Sequence, residues 1–184
     1  DTTPPMLTLL GATPVTVECG SAFNDPGATA ADACDPEVAV VTGGDQVDTT
    51  TPGGYTITYN ATDSAGNAAI QVTRTVTVVD TTPPMLTLLG ATPVTVECGS
   101  AFNEPGATAA DACDPEVAVA TGGDQVDTST PGGYTITYDA TDASGNPAAQ
   151  LTRTVEVVDT TPPVITLLGE SSVTVECGSA FNEP

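Results

Sequence analysis

The stretch Tyr55-Thr56-Ile57-Thr58-Tyr59-Asn60-Ala61 sets apolar Tyr55, Ile57, Tyr59 and Ala61 against polar Thr56, Thr58 and Asn60. A period of two is the signature of a β-strand with one buried face, because successive side chains of an extended chain point to opposite sides. Outward along the chain the same pattern recurs in short pieces. Leu7 and Leu9 alternate with Thr8, and Val15 and Val17 with Thr16 and Glu18. Ile70, Val72, Val76 and Val78 read as the inner face of a last strand, with Thr73, Thr75 and Thr77 outward. Shorter runs at 28–31, 38–41 and around Val47 bring the expectation to about seven strands. Turn signals separate them at Asn24-Asp25-Pro26-Gly27, Gly43-Gly44, Pro52-Gly53-Gly54 and Ser64-Ala65-Gly66-Asn67. No helical period occurs. About seven short strands of this kind predict an all-β sandwich.

The sandwich is repeated. The segment Asp1-Thr2-Thr3-Pro4-Pro5-Met6-Leu7-Thr8-Leu9-Leu10-Gly11 returns at Asp80 and, with Val164 and Ile165 in place of Met and Leu, at Asp159, a period of 79 residues. Three units follow: residues 1–79, residues 80–158, and the beginning of a third at 159–184, which breaks off in mid-domain and reads as a cut through a longer repetitive chain. The two full copies differ at few positions, among them Asp25/Glu104, Val41/Ala120, Asn60/Asp139 and Thr77/Glu156. A position that accepts Thr or Glu alike faces water, which agrees with the outward parity of Thr77. The junction Asp80-Thr81-Thr82-Pro83-Pro84 holds two prolines that fix φ and favour extended backbone, so the expected connection is a semi-rigid spacer with domains end to end.

Charge is the unusual bulk property. Of 184 residues 24 are acidic and two are basic, with no His, for a net charge of −22. Such a polyanion has no cations with which to displace phosphate counterions, so nucleic acid is excluded as a partner. No stretch approaches the roughly 20 apolar residues that cross a bilayer, so membrane insertion is not expected. The absence of His excludes Ser-His-Asp and Cys-His catalysis. Paired carboxylates of the glycosidase kind need a cleft, and a small sandwich with 4% aromatic residues is a poor source of one. The chain is therefore read as non-enzymatic.

Arg74 and Arg153 sit at an inward parity of the last strand in their copies. The expectation is a structural ion pair, with the stem packed along the sandwich edge. Acidic residues cluster at Asp1, Asp32, Asp35, Glu37 and Asp63, and again at Asp80, Asp111, Asp114, Glu116 and Asp142. In a sandwich the chain entry, the loop after the second strand and the last hairpin share one pole, so these carboxylates should gather there. Two readings stand side by side: calcium, which takes six to eight hard oxygens in irregular geometry, or turn-forming Asp residues that cap loops. Calcium would be the only cofactor.

Each full copy holds two cysteines 15 residues apart, Cys19 and Cys34, then Cys98 and Cys113; Cys177 matches the first of a pair whose mate falls beyond residue 184. Disulfides Cys19–Cys34 and Cys98–Cys113 are expected, each worth roughly 3 kcal/mol by loop closure, in an oxidising compartment. Free thiols are the alternative; a zinc site lacks ligands, with two Cys and no His per copy. The bridge requires the strand at 28–31 to be short or bulged.

Val17-Glu18-Cys19-Gly20-Ser21-Ala22-Phe23, Asp25-Pro26-Gly27-Ala28-Thr29-Ala30, Asp32-Ala33-Cys34-Asp35 and Tyr59-Asn60-Ala61-Thr62-Asp63-Ser64-Ala65-Gly66-Asn67 resemble the bacterial Ig-like surface-protein repeats related to hyalin (HYR) repeats. The resemblance covers each copy. It implies immunoglobulin-like sandwiches used in arrays on secreted and cell-surface proteins, and it brings no catalytic residues. The functional expectation is the shaft of an extracellular fibre or the stalk of a surface adhesin, whose partners are further copies of the same repeat, in line or side by side. A carbohydrate- or surface-binding module and a spacer on an exported enzyme are the competing readings.

Overall fold

The computed structural model describes residues 1–182. In the first copy the strands are β1 (Met6–Leu9), β2 (Val15–Glu18), β3 (Ala28–Ala31), β4 (Val40–Gly44), β5 (Gly53–Ala61) and β6 (Val72–Val79). The second copy repeats them as β7 (Met85–Leu88), β8 (Val94–Glu97), β9 (Ala107–Ala110), β10 (Val119–Gly123), β11 (Gly132–Ala140) and β12 (Leu151–Val158). Residues 159–182 form no strand and are exposed. There is no helix among the described residues, and so none long and apolar enough to cross a membrane.

Each copy is a two-layer, immunoglobulin-like sandwich. A four-stranded sheet runs β2-β6-β5-β4, with β2 parallel to β6 and the other pairs antiparallel; a two-stranded sheet, β1-β3, covers it. The second copy has the same order, β8-β12-β11-β10 under β7-β9. Val17, Ile57, Tyr59 and Val76 form the buried centre, and Leu9, Val15, Phe23, Val40, Val47 and Val72 pack round it. The strict alternation of β5 is thus used in full: Ile57, Tyr59 and Ala61 are buried and Thr56 and Asn60 are not.

Two expectations need correction. Each copy has six strands, not about seven, because Val47 reaches the core from the loop between β4 and β5 without pairing. The last strand also starts later than its apolar pattern suggests. Ile70 is 87% exposed, because pairing with β5 begins only at Val72, opposite Tyr59. Val41 is likewise exposed, which accounts for Ala120 in the second copy. Gly44 could not be another residue: its φ is +82° and a Cβ there would lie 2.3 Å from the Thr56 carbonyl oxygen.

Arg74 lies in the core rather than along its edge. It is fully buried, and all three nitrogens of its guanidinium donate hydrogen bonds. Nε donates to the Asp25 carboxylate at 2.9 Å, Nη1 to the Ala12 carbonyl, and Nη2 to the carbonyls of Leu10 and Gly27. The Tyr59 hydroxyl donates to the same carboxylate at 2.6 Å and accepts from Nε at 3.3 Å. Burial pushes the Asp25 carboxyl up, but Tyr59, the Gly27 N–H and Arg74 outweigh it and hold the group below the ordinary carboxylate value. Arg153, Glu104 and Tyr138 repeat the arrangement, with Nε–Oε1 at 2.8 Å. The longer Glu104 leaves its Oε2 buried without a partner.

Removing one member of a buried pair strands the other, at a typical cost of about 3–5 kcal/mol. Arg74→Met should therefore destabilise the first copy by that amount in denaturant titration. Glu104→Asp should instead stabilise the second copy by about 1 kcal/mol, because both carboxylate oxygens would then reach the tyrosine hydroxyl, as those of Asp25 reach Tyr59 in the first copy; a loss of stability would show that the pair is not the arrangement described.

Candidate functional site

The region where the two copies meet gathers most of the distinctive residues. Parallel pairing of β2 with β6 places Glu18 beside Val79, so β2 ends at the pole from which the chain leaves the first copy. There the Cys19 N–H donates to the Val79 carbonyl at 2.7 Å and the Gly20 N–H to Thr49 at 2.7 Å. The Glu18 carboxylate accepts from the Thr81 N–H at 2.8 Å, from the Thr81 hydroxyl at 2.9 Å and from the Thr82 hydroxyl at 2.8 Å. These donors hold its carboxyl below the ordinary value of 4.5, the Thr81 N–H most of all. One residue earlier, the Asp80 carbonyl accepts from Asn146 Nδ2 of the second copy at 3.2 Å. The connector is therefore gripped by both copies, Asp80 from one side and Thr81 and Thr82 from the other. Glu97 grips Thr160 and Thr161 in the same way.

Cys19 is bridged not to Cys34 but to Cys113 of the second copy, with Cα atoms 6.1 Å apart. The topology gives the reason. Antiparallel pairing of β3 with β1 sets Ala31 beside Met6, so the chain arrives near the entry pole, where Cys34 donates its N–H to Asp32 and Asp32 lies beside Asp1. Cys19 stands at the exit pole. The eight-residue β6 that separates the poles is roughly 26 Å long at about 3.3 Å per residue, far beyond the ~7 Å that a disulfide tolerates. Cys98 and Cys113 are likewise at opposite poles of the second copy. The expected pairings Cys19–Cys34 and Cys98–Cys113 are thus replaced by one bridge between copies; Cys34, Cys98 and Cys177 are free. Gly20 adds a contact. A Cβ on it would lie 3.1 Å from Cβ of Ala112, so its bare backbone lets the second copy approach. The loop-closure contribution rises accordingly, to roughly 4.7 kcal/mol for a loop near 100 residues.

The acidic residues divide. At the entry pole of the first copy, carboxylate oxygens of Asp1, Asp32 and Asp63 lie within 4.8 Å of one another. Asp35 is turned to other work: Oδ1 accepts from the Glu37 N–H and Oδ2 from the Ser64 N–H, which ties the loop after β3 to the last hairpin. Glu37 contributes only its backbone there and stays exposed. Asp32 caps its own turn, accepting from the N–H groups of Cys34 and Asp35. Asp63 accepts from the Asn67 side chain at 2.8 Å and its N–H at 2.7 Å, which holds its carboxyl below the ordinary value. In the second copy the cluster is Asp80, Asp111 and Cys113, and the sulfur of Cys113 is already committed to the bridge. Asp114 repeats the tie to Ala143 and Glu116, and Asp142 repeats the bond to Asn146. Turn capping accordingly occupies most of these oxygens, and the set that converges is three carboxylates in one copy and two in the other.

Glu18, Gly20 and Asn67, together with Asp25 as the partner of Arg74, carry roles that sequence reading did not assign. A signal existed for three of them. Glu-Cys-Gly recurs unchanged at 18–20, 97–99 and 176–178, and Asp25 changes only to Glu104, which keeps the charge.

Comparison with known proteins places these features in context. The family described as bacterial surface protein, Ig-like domain, matches residues 7–78 and 86–157. Hyalin of Strongylocentrotus purpuratus is 36% identical over 136 residues, which cover 69% of this chain and 11% of that protein. Hyalin of Lytechinus variegatus is 40% identical over 126 residues, 63% of this chain and 23% of that one. The chain thus spans only a small part of the length of these relatives. Among solved structures, the fibronectin(III)-like modules of Clostridium thermocellum CbhA align over 83% of this chain and 94% of theirs, at 19% identity and a TM-score of 0.33. Drosophila N-cadherin EC1-3 aligns over 86% of this chain and 68% of its own, at 14% identity and a TM-score of 0.34.

The grip of Glu18 on the connector should depend on pH in a defined direction. Its carboxyl is held below 4.5, so its contribution is complete above that value and is lost as pH falls through the lower folded-state value. Glu18→Gln mimics the protonated side chain. The melting temperature of the variant should lie below that of the parent at pH 7, and the two should converge in acid; a gap that persists unchanged at pH 3 would assign the effect to shape and not to charge.

Proposed function

Because the chain belongs to the bacterial surface protein Ig-like domain family, we propose that it is a shaft segment of an extracellular or cell-surface protein, holding its sandwiches at fixed separation and orientation. The observation that carries this reading is the connector gripped from both sides. Pro83 and Pro84 restrict its backbone, Glu18 and Asn146 hold it from either copy, and the Cys19–Cys113 bridge spans it. A flexible tether needs none of these. The partners are further copies of the repeat in the same chain, and lateral association of shafts extends the same role. The reading is non-catalytic, in keeping with a sequence that lacks His altogether.

A carbohydrate-binding module would present an exposed aromatic platform. Here Tyr59 and Tyr138 are wholly buried, and Tyr55 and Phe23 pack on the first core. Calcium stands as a second element of the proposal, restricted to the entry pole. Asp1, Asp32 and Asp63 supply three carboxylates within reach of one ion, whereas the second copy offers Asp80 and Asp111 only.

Small-angle scattering tests the shaft directly. The oxidised tandem should have a maximum dimension about twice that of one copy, and Pro83→Gly/Pro84→Gly should broaden its distance distribution. A compact particle with the copies folded back on each other would end the proposal. For calcium, thermal melting with added ion and with chelator should differ by several degrees, and Asp32→Asn should abolish the difference; identical curves at physiological ionic strength would remove the ion from the account.

A further inference from the structure

We propose that the disulfides of this chain run between copies and follow one rule, the first cysteine of each copy pairing with the second cysteine of the next, so that every junction is closed by a covalent staple beside the peptide connector. The inference deepens the shaft reading, but its test reads pairing alone.

Three observations carry it. The bridged residues are separated by 94 positions, which is one 79-residue period plus the 15-residue spacing inside a copy, so the bridge joins the first cysteine of one copy to the second cysteine of the next. Topology keeps the two cysteines of one copy at opposite poles, and the same topology brings the exit pole of one copy against the entry pole of the next. The contact there is shaped for close approach. Gly20 lies directly beside Cys19, and Ala112 directly beside Cys113, and the small residues meet where any side chain on Gly20 would intrude. The Glu-Cys-Gly triplet at 97–99 and 176–178 places Cys98 and Cys177 in the role of Cys19, and Cys34 has the role of Cys113. All three are unpaired among the described residues, as the rule requires.

The chemistry is thiol–disulfide exchange with an external disulfide oxidant. The Cys19 thiolate attacks one sulfur of that oxidant and displaces the other as a thiol. The Cys113 thiolate then attacks the Cys19 sulfur of the mixed disulfide and displaces the second thiol. Two protein thiols become one disulfide, and one oxidant disulfide becomes two thiols. A shaft closed in this way gains a property that bridges inside a copy would not confer: a cut of the backbone anywhere between Cys19 and Cys113 leaves the two copies attached.

That property supplies the test. Arg74 and Arg153 are the only basic residues in the chain, so trypsin yields residues 1–74, 75–153 and 154–184 and no other pieces. Both arginines are buried, so the oxidised protein is first treated with an alkylating reagent to block free thiols, then unfolded in urea and digested without reductant. Mass spectrometry should find 1–74 joined to 75–153, separating on reduction, with alkyl groups on Cys34, Cys98 and Cys177. The Cys34→Ser/Cys98→Ser variant should keep the joined species, and Cys19→Ser should lose it. Separate 1–74 and 75–153 peptides, whether internally bridged or fully alkylated, would overturn the rule, and so would a joined species that disappears in the Cys34→Ser/Cys98→Ser variant. Neither result would bear on the scattering that tests the shaft.

Discussion

Burying Arg74 completely ties four segments of the first copy together. The guanidinium has five N–H groups in a rigid fork and no way to lose its charge, so its surroundings must provide acceptors in the right directions. Asp25 provides the carboxylate, Tyr59 the hydroxyl, and Leu10, Ala12 and Gly27 the backbone carbonyls. Those residues belong to the corner after β1, the turn before β3 and strand β5, while Arg74 sits on β6. The Gly27 carbonyl also accepts from the Leu10 N–H at 2.9 Å, whereas the carbonyls of Leu10 and Ala12 lie beyond the end of β1 and are met by the arginine. A buried ion pair of this kind is not required for net stability, since an apolar replacement of both partners can do as well. What it adds here is a polar tie between the residues that flank the small sheet and a strand of the large one.

With that arrangement set, the poles follow. β2 must end beside the end of β6, which puts Cys19, Gly20 and Glu18 at the exit; β3 must end beside the start of β1, which puts Asp32, Cys34 and Asp63 at the entry. The chain repeats every 79 residues, so an exit always faces an entry. The contacts that hold the connector, the glycine that admits the neighbour and the sulfur bridge all lie in that interval. A short connector alone would leave the angle between copies free. Hydrogen bonds from both sides and a second covalent path restrict it.

The acidic character of the chain has a local explanation in many places. Asp32, Asp35, Asp48, Asp63 and their counterparts accept N–H or hydroxyl hydrogen bonds at the start of turns, where a carboxylate replaces a backbone acceptor the turn cannot supply. The hydrogen bonds accepted by Asp35, Asp48 and Asp63 hold these groups below their ordinary pKa and so keep them charged. A net charge of −22 is therefore partly the accumulation of turn chemistry over many short strands. Repulsion among such charges falls with distance and is screened by salt.

Local pattern was enough to read the class of fold, the repeat and the inward face of β5, because alternation and recurrence are properties of neighbouring residues along the chain. It was enough, too, to place Arg74 on the buried side of its strand. It misread Ile70, whose apolar character promised a strand that pairing does not reach, and Val47, which fills the core without joining a sheet. It also paired the cysteines by proximity in sequence. Fifteen residues looked like a loop to be closed, and only the crossing of β1, β2 and β3 between layers shows that those residues span a whole domain, while ninety-four span a single contact. The sequence by itself determined that the chain is a series of equal β-sandwiches. Which residues touch between one sandwich and the next was decided by strand order and direction, because these alone set the pole at which each residue emerges.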